Sequence, residues 1–214
     1  MEGVQIVKKI LCLFMMIFMI CGLCGCRERK ALKDDVKISL GQVSDNTYRN
    51  DFIGISCTLP NDWVFYNKEQ LQMLSNFTYD YLDEEFDVQL EDIAMFYDMF
   101  AEHPETGNRA YVAFEKINQN YFELDILREY SGLIIDTLKP SLEEMGYTDV
   151  EGAYKRVSIG KKYYDGIKFL GKFNGQDMYM MEIFLEKGDY RVIICISSME
   201  TDEVEKFLEY FSIN

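Results

Sequence analysis

The chain has 214 residues, 28% of them charged, and a formal net charge of −15. This acidic balance argues against a nucleic-acid binder, because phosphates favour basic surfaces, and it disfavours electrostatic adhesion of the whole protein to an anionic membrane. With 48% hydrophobic and 14% aromatic residues, the length suits one domain of ordinary size with a packed core.

The first 26 residues have the pattern of an export signal. Lys8 and Lys9 form a short basic region, and an apolar run over residues 10–20 follows them. This run is too short to cross ~30 Å of hydrocarbon as a helix. It leads into Leu23-Cys24-Gly25-Cys26, which resembles the lipobox of bacterial lipoproteins.

That resemblance implies a signal peptide over residues 1–25 and a thioether-linked diacylglycerol on Cys26. Two acyl chains on one cysteine suffice for stable anchoring, so we expect the protein on the outer face of the cytoplasmic membrane. Two alternatives stay open: an uncleaved transmembrane helix, whose apolar stretch is short of ~20 residues, and a secreted product without lipid.

The next segment lacks aromatic residues over positions 27–46 and is rich in charge, a composition typical of a flexible tether. We therefore divide the chain into the signal peptide, a tether over residues 26–47 and a folded domain over residues 48–214.

The domain opens with two extended segments. Ile53, Ile55, Cys57 and Leu59 alternate with other residues and predict a strand. A turn at Pro60 separates it from a second extended piece that starts at the only tryptophan, which we interpret as a core residue.

Two helices are predicted next, over residues 68–82 and 86–101. The second prediction rests on apolar residues at spacings of three and four, namely Phe86, Leu90, Ile93, Ala94, Tyr97 and Phe100.

Acidic residues concentrate between and within these two segments, at Asp80, Asp83, Glu84, Asp87 and Asp92. Capping of a helix start explains them at least as well as cation binding does, and the glycine turn and alternating ligands of a calcium loop are missing. We predict no metal site and no cofactor. The only histidine, His103, has no catalytic motif around it and is interpreted as a loop residue.

A strand over residues 109–117 and an amphipathic helix over residues 123–145 follow. Gly146 is expected to end this helix. Pro140 lies inside it, and we expect a kink or break near Lys139 because the proline ring clashes with the carbonyl group four residues back.

The last third of the chain predicts a four-stranded antiparallel meander over residues 150–159, 163–173, 176–186 and 190–198. Asn174-Gly175 is a strong hairpin signal, because both turn residues must tolerate positive φ. Thr201 is expected to cap a final helix, whose buried stripe comprises Val204, Phe207, Leu208 and Phe211.

Cys57 and Cys195 both lie in predicted strands. They could form a disulfide in an oxidising compartment, but small buried thiols are common in strands, so we favour two free cysteines.

The order of these motifs resembles that of small uncharacterised lipoproteins of Firmicutes. An Asn-x-Phe-Ile-Gly-Ile strand leads into Leu-Pro-x-x-Trp. After it come a helical pair ending in Tyr97-Asp-Met, a strand, a long helix ending in Met-Gly, the meander and a short closing helix. Such proteins are similar to the Mog1/PsbP-like fold. The resemblance implies an α+β single domain, a twisted antiparallel sheet with helices on its faces (α/β/α). It also favours an accessory role, since such domains in photosynthetic relatives assist a membrane complex without catalysis.

We therefore expect a non-enzymatic binding or accessory module that has an unknown protein partner. Its candidate binding surface comprises five tyrosines of the meander, which offer amphipathic contact area, namely Tyr154, Tyr163, Tyr164, Tyr179 and Tyr190. The competing interpretation is that these rings only cover the sheet. The alternative function is an extracytoplasmic hydrolase with paired carboxylates from the acidic residues between 80 and 92, one of which would need a raised pKa.

Overall fold

The computed structural model of the protein describes residues 38–75, 95–117 and 127–214. All three ranges belong to the unit that spans Val36–Asn214. The predictions made for the leader, for Cys26 and for the acidic residues between 80 and 92 therefore lie outside the described residues.

A seven-stranded antiparallel sheet organises these residues. Its strands are β4 (Val64–Phe65), β5 (Met95–Glu102), β6 (Arg109–Lys116), β7 (Tyr147–Ile159), β8 (Lys162–Phe173), β9 (Gln176–Lys187) and β10 (Tyr190–Met199). Their spatial order is β4-β5-β6-β10-β9-β8-β7. The predicted strand at 109–117 and the predicted meander are both confirmed.

The turn between β8 and β9 has the backbone that the sequence requires. Asn174 and Gly175 adopt φ angles of 52° and 82°, which matches a two-residue turn with positive φ at both positions. Phe173 pairs with Gln176 directly across it.

A smaller sheet joins both ends of the domain. It contains β1 (Gln42–Ser44), β2 (Thr47–Asn50), β3 (Ile55–Thr58) and β11 (Phe211–Ile213), in the order β1-β2-β3-β11. The predicted tether is therefore wrong from residue 38 onwards. Ile38 is buried, Leu40 packs against the core, and β1 pairs with β2, so this charged segment is held by backbone pairing and by two apolar side chains.

Three helices accompany the sheets in the described residues: α1 (Lys68–Ser75), α2 (Leu127–Glu144) and α3 (Val204–Phe207), the last continued by a 3-10 turn over Leu208–Tyr210. α2 packs on β7 and β8. A core of Leu127, Ile134 and Leu142 with residues of the large sheet lies beneath it. A second core lies between the two sheets and includes α3. The α+β class and the antiparallel sheet are confirmed, but a second sheet covers much of one face where helices were expected.

The helix predicted over residues 86–101 is wrong for its described part, because β5 occupies Met95–Glu102. A β-bulge between Tyr97 and Met99 shifts the strand by one residue. Tyr97 and Phe100 therefore both contact the ring of Tyr111, although strict alternation would place them on opposite faces. Their spacing of three imitated a helical stripe.

Two local predictions about the helices are also wrong. α2 continues through Pro140, and the non-helical backbone within Leu127–Glu144 is at Tyr130, with φ −106° and ψ 15°. Glu203 and not Thr201 occupies the N-cap of α3 without a side-chain cap. Its backbone N–H donates to Ser198 Oγ at 3.2 Å. Gly146 follows α2 with φ 95°, as expected, and the predicted stripe of the last helix is buried.

Candidate functional site

The five tyrosines of the predicted binding surface lie on both faces of the large sheet. Tyr164, Tyr179 and Tyr190 pack against the core between the two sheets. Tyr154 packs against the core beneath α2. The structure therefore does not bring the five residues together.

Most of these tyrosines are held by contacts within the domain. Tyr154 donates a hydrogen bond to Asp165 Oδ1 at 2.6 Å. The ring of Tyr190 meets the ring of Phe114 edge to face, with centroids 6.2 Å apart. Tyr164 is half-buried, and burial raises its pKa.

Tyr163 differs from the other four, because 68% of it is exposed. It lies opposite Ser158 near the end of the β7–β8 hairpin. The guanidinium of Arg156 lies 5.5 Å from its ring centroid, a cation–π distance. An exposed aromatic ring beside a cation is a common element of binding surfaces.

Three lysines extend the surface around Tyr163. Lys155 and Lys162 are exposed near the end of the hairpin, and Lys161 is exposed in its turn. We call Lys155, Arg156, Lys161, Lys162 and Tyr163 the hairpin-end surface.

The most densely bonded polar group of the described residues is Asp98, at the bulge of β5. Its carboxylate accepts hydrogen bonds from the Gly41 N–H at 2.9 Å, from the Tyr48 hydroxyl at 2.6 Å and from Asn50 Nδ2 at 2.6 Å. Burial raises the pKa of Asp98, and these three donors lower it. Because the side chain is 5% exposed and its oxygens are occupied, it connects the N-terminal segment to the large sheet and offers little to a ligand.

A second perturbed carboxyl group lies on the face of the large sheet that α2 partly covers. Glu182 is half-buried on β9, and its neighbour across β10 is Cys195, which pairs with Tyr111 on β6. Burial, together with the charge of Glu115, raises the pKa of Glu182 to about 7, while a hydrogen bond from Tyr111 lowers it. A carboxyl group that titrates near neutral pH can donate or accept a proton in acid–base chemistry.

The sequence reasoning missed Glu182, although a signal for it exists. Glu182 is the one charged residue in the run Met178-Tyr-Met-Met-Glu-Ile-Phe-Leu185, and an isolated charge within a buried strand is the residue whose pKa shifts most. Asp98 gave no comparable signal, because its role depends on the bulge.

The cysteines and the histidine are placed by packing. Cys57 and Cys195 are buried free thiols, as favoured, and burial raises the pKa of both. His103 lies in the loop between β5 and β6, as predicted, and is half-buried there. Its Nε2 lies 3.2 Å from Asp62 Oδ2, and its ring meets Trp63, the predicted core residue, which is 8% exposed.

Metal-binding clusters and membrane-spanning helices are both absent from the described ranges. They contain no group of three or more His, Cys, Asp and Glu residues arranged to hold a metal ion. Over these same ranges, none of the helices combines the length and hydrophobicity needed to cross a bilayer.

Comparisons with known proteins give structural similarities and no match to a family or a curated protein. The solution structure of cyanobacterial PsbP (CyanoP) from Synechocystis sp. PCC 6803 is similar with a TM-score of 0.45 and 11% sequence identity, over 85% of this chain and 96% of that chain. A similarity of this size assigns neither family nor function.

Proposed function

We propose that the protein is a lipid-anchored, non-enzymatic binding or accessory module at the outer face of the cytoplasmic membrane. In this proposal it is a lipoprotein of the Firmicutes type whose motif order it resembles, and its folded part is a Mog1/PsbP-like domain. The leader and its lipobox-like end at Cys26 support the location. The anchor holds the protein by acyl chains, whose burial contributes about 0.8 kcal/mol per methylene group.

The observation that carries the binding role is the exposure of Tyr163 beside Arg156. A tyrosine that is 68% exposed leaves a large apolar ring in water, whereas its neighbour Tyr164 packs against the core. Contact with a partner would bury that ring without any change in the fold, and aromatic and arginine side chains are the residues that contribute most at interfaces.

The anchor is tested by replacing Cys26 with serine in the native host. We expect loss of the lipid and accumulation of the unprocessed precursor, measured by mass spectrometry of the membrane and soluble fractions. Cys24→Ser is the matched control, because serine is a more usual residue at that lipobox position and processing should continue. Wild-type protein at full precursor mass would contradict the anchor.

The binding role is tested by crosslinking and co-purification from native membranes with two variants. Tyr163→Ala should lose a partner and keep the wild-type melting temperature. Tyr164→Ala should lose stability, because it removes a ring from the core. A partner that is retained by Tyr163→Ala at wild-type yield would contradict a binding role for this residue.

The second candidate function is a hydrolase with paired carboxylates, and the raised pKa of Glu182 favours it. Burial raises the pKa of Glu182, the charge of Glu115 adds to this effect, and a general acid needs such a raised pKa. The strand register places Glu115 two strands and four residues away from Glu182. Hydrolytic activity toward a panel of ester and glycoside substrates that disappears in Glu182→Gln, while the melting temperature does not fall, would establish this function over the first.

A further inference from the structure

The charge of this acidic protein is unevenly distributed along the chain. The 20 residues from Ala153 to Lys172 contain six basic residues and one acidic residue, whereas the whole chain has a net charge of −15. These 20 residues cover most of the β7–β8 hairpin.

The positive charge is concentrated at the end of the hairpin. Lys168 is buried and bonds Asp202 at 2.5 Å, Lys172 lies 3.7 Å from Asp149, and Arg156 lies 3.9 Å from Asp165. In contrast, no carboxylate of the described residues lies within ion-pair distance of Lys155, Lys161 or Lys162. These three exposed ammonium groups are therefore available to an anionic partner.

The hairpin-end surface extends around both faces of the hairpin. Lys155 and Lys162 share a face with Tyr164, which contacts the core between the sheets, while Arg156 and Tyr163 lie on the opposite face. Lys161 lies in the two-residue turn between Ile159 and Lys162. Such an arrangement suits contact of the hairpin end with an extended flat surface better than it suits a groove.

The N-terminal end of the domain contacts the large sheet near the middle of its strands. Gly41 bonds Asp98, which is adjacent to Met99. Residue pairs across the sheet then connect Met99 to Val112, Ile194, Ile183, Gly166 and Lys155. Asp98 and Lys155 are thus at the same level along the strands and five strand spacings apart, roughly 24 Å. The first described residues therefore contact the large sheet at the level of Lys155, four residues before the end of β7.

We propose that the hairpin-end surface docks on the phosphate headgroups of anionic phospholipids. This inference rests on the proposed function, because an anchor at Cys26 would keep the domain close to a membrane surface. Lysine and arginine bind the anionic headgroups, and tyrosine is favoured at the membrane–water interface. The acidic remainder of the protein opposes docking weakly, since charges more than ~10 Å from the headgroups are screened at physiological salt.

Neighbouring charges limit the docking surface to this hairpin. Glu186 and Asp189, at the end of β9 and in the turn that follows, are exposed at the same end of the sheet. They would repel an anionic surface, so the domain should tilt toward β7, its edge strand.

The test uses the full lipidated chain with a fluorophore on a single introduced cysteine. Ser158→Cys places the label beside the hairpin-end surface, and Gln176→Cys places it at the opposite end of the sheet. Both chains are reconstituted in phosphatidylcholine vesicles with or without phosphatidylglycerol, each containing a lipid with a headgroup quencher. We expect strong quenching at position 158 only when phosphatidylglycerol is present, and weak quenching at position 176 in both vesicles.

Charge reversal measures how much the basic residues contribute to docking. Each basic residue near an anionic surface changes the docking equilibrium by ~5-fold, so Lys161→Glu with Lys162→Glu should reduce docking at least ~20-fold, and ~1 M salt should have a similar effect. Arg49→Glu reverses an exposed charge on β2 and should leave docking unchanged. Quenching that is equal in both vesicles, equal at both label positions or unaffected by the double reversal would overturn the proposal.

The anchor and the docking surface fail in distinguishable ways. A chain without a lipid anchor would not sediment with phosphatidylcholine vesicles, whereas an anchored chain without docking would sediment and show no quenching at position 158. If the chain proves unanchored, sedimentation with phosphatidylglycerol vesicles that the double reversal abolishes supports docking, and absence of such sedimentation overturns it. Crosslinking of position 158 to an acidic protein in place of lipid quenching also overturns it.

Discussion

Replacing Asp98 with alanine should remove a large part of the stability of the domain. The carboxylate is the acceptor for the Gly41 N–H, the Tyr48 hydroxyl and Asn50 Nδ2. Asn50 Nδ2 keeps a second acceptor, the carbonyl oxygen of Ser39 at 2.9 Å. Two buried donors therefore lose their acceptor, and each such donor costs about 1–3 kcal/mol.

One effect opposes this loss. Burial raises the pKa of Asp98 in spite of its hydrogen bonds, so removing the carboxylate also removes a desolvation cost. We therefore expect a net loss of about 3 kcal/mol, which is a substantial fraction of the 5–15 kcal/mol typical of a domain. Asp98→Asn keeps one oxygen as an acceptor and should cost about half as much.

The assay is urea denaturation followed by the fluorescence of Trp63, the only tryptophan of the chain, which is buried. Asp51→Ala is the matched control, because its carboxylate is 78% exposed and pairs with Arg49 on the surface, where an ion pair contributes less than ~1 kcal/mol. If the free energy of unfolding of Asp98→Ala were within ~1 kcal/mol of the wild-type value at an unchanged m-value, the hydrogen bonds to Asp98 would not hold the N-terminal segment to the sheet.

Three further predictions concern single side chains. The pKa of Glu182 is raised from 4.5 to about 7, so the folded state keeps a proton that the unfolded chain loses, and stability falls as pH rises between these values; Glu182→Gln should be equal to wild type near pH ~4 and more stable by about 3 kcal/mol near pH ~8 in urea titrations. Tyr164→Ala should cost about 2 kcal/mol and Tyr163→Ala less than ~0.5 kcal/mol in the same assay, and equal losses would contradict their assignment to opposite faces. Gly41→Ala should lower the melting temperature, because a Cβ atom there would collide with the Tyr48 ring and overpacking costs about 1–3 kcal/mol; an unchanged melting curve would mean that this segment moves freely.

The sequence predicted the elements whose signals are local. Each strand of the meander carries its own alternation, and each turn carries its own glycine, so the four strands from Tyr147 to Met199 were found with small errors at their ends. In the small sheet, β3 carries such an alternation, but β1 has three exposed residues and β11 pairs with β3 from the other end of the chain. Pairing over that separation cannot be inferred from a local pattern.

The candidate site could also be predicted only in part, because the sequence pattern gives the alternation of its residues but not their burial. Alternation alone places Tyr163 and Tyr164 on opposite faces of β8, but only the packing of the whole domain decides which face is covered. α2 contacts β7 near Gly152, where an added Cβ atom would lie 2.7 Å from Ile135 Cγ2. Tyr163 lies farther along the hairpin, opposite Ser158, and stays exposed. The tyrosines therefore differ in role although they are equivalent in the sequence pattern.

Net charge is informative only over distances at which charges act together. The formal charge of −15 argues against adhesion of the whole molecule to an anionic membrane, yet charges interact strongly only within about 8–10 Å at physiological salt. The pairing of β7 with β8 brings Lys155, Arg156 and Lys162 together at one end of a hairpin, while most of the acidic residues lie elsewhere in the chain. A membrane held near that end would interact first with these cations, and the acidic remainder would keep the rest of the domain away from it.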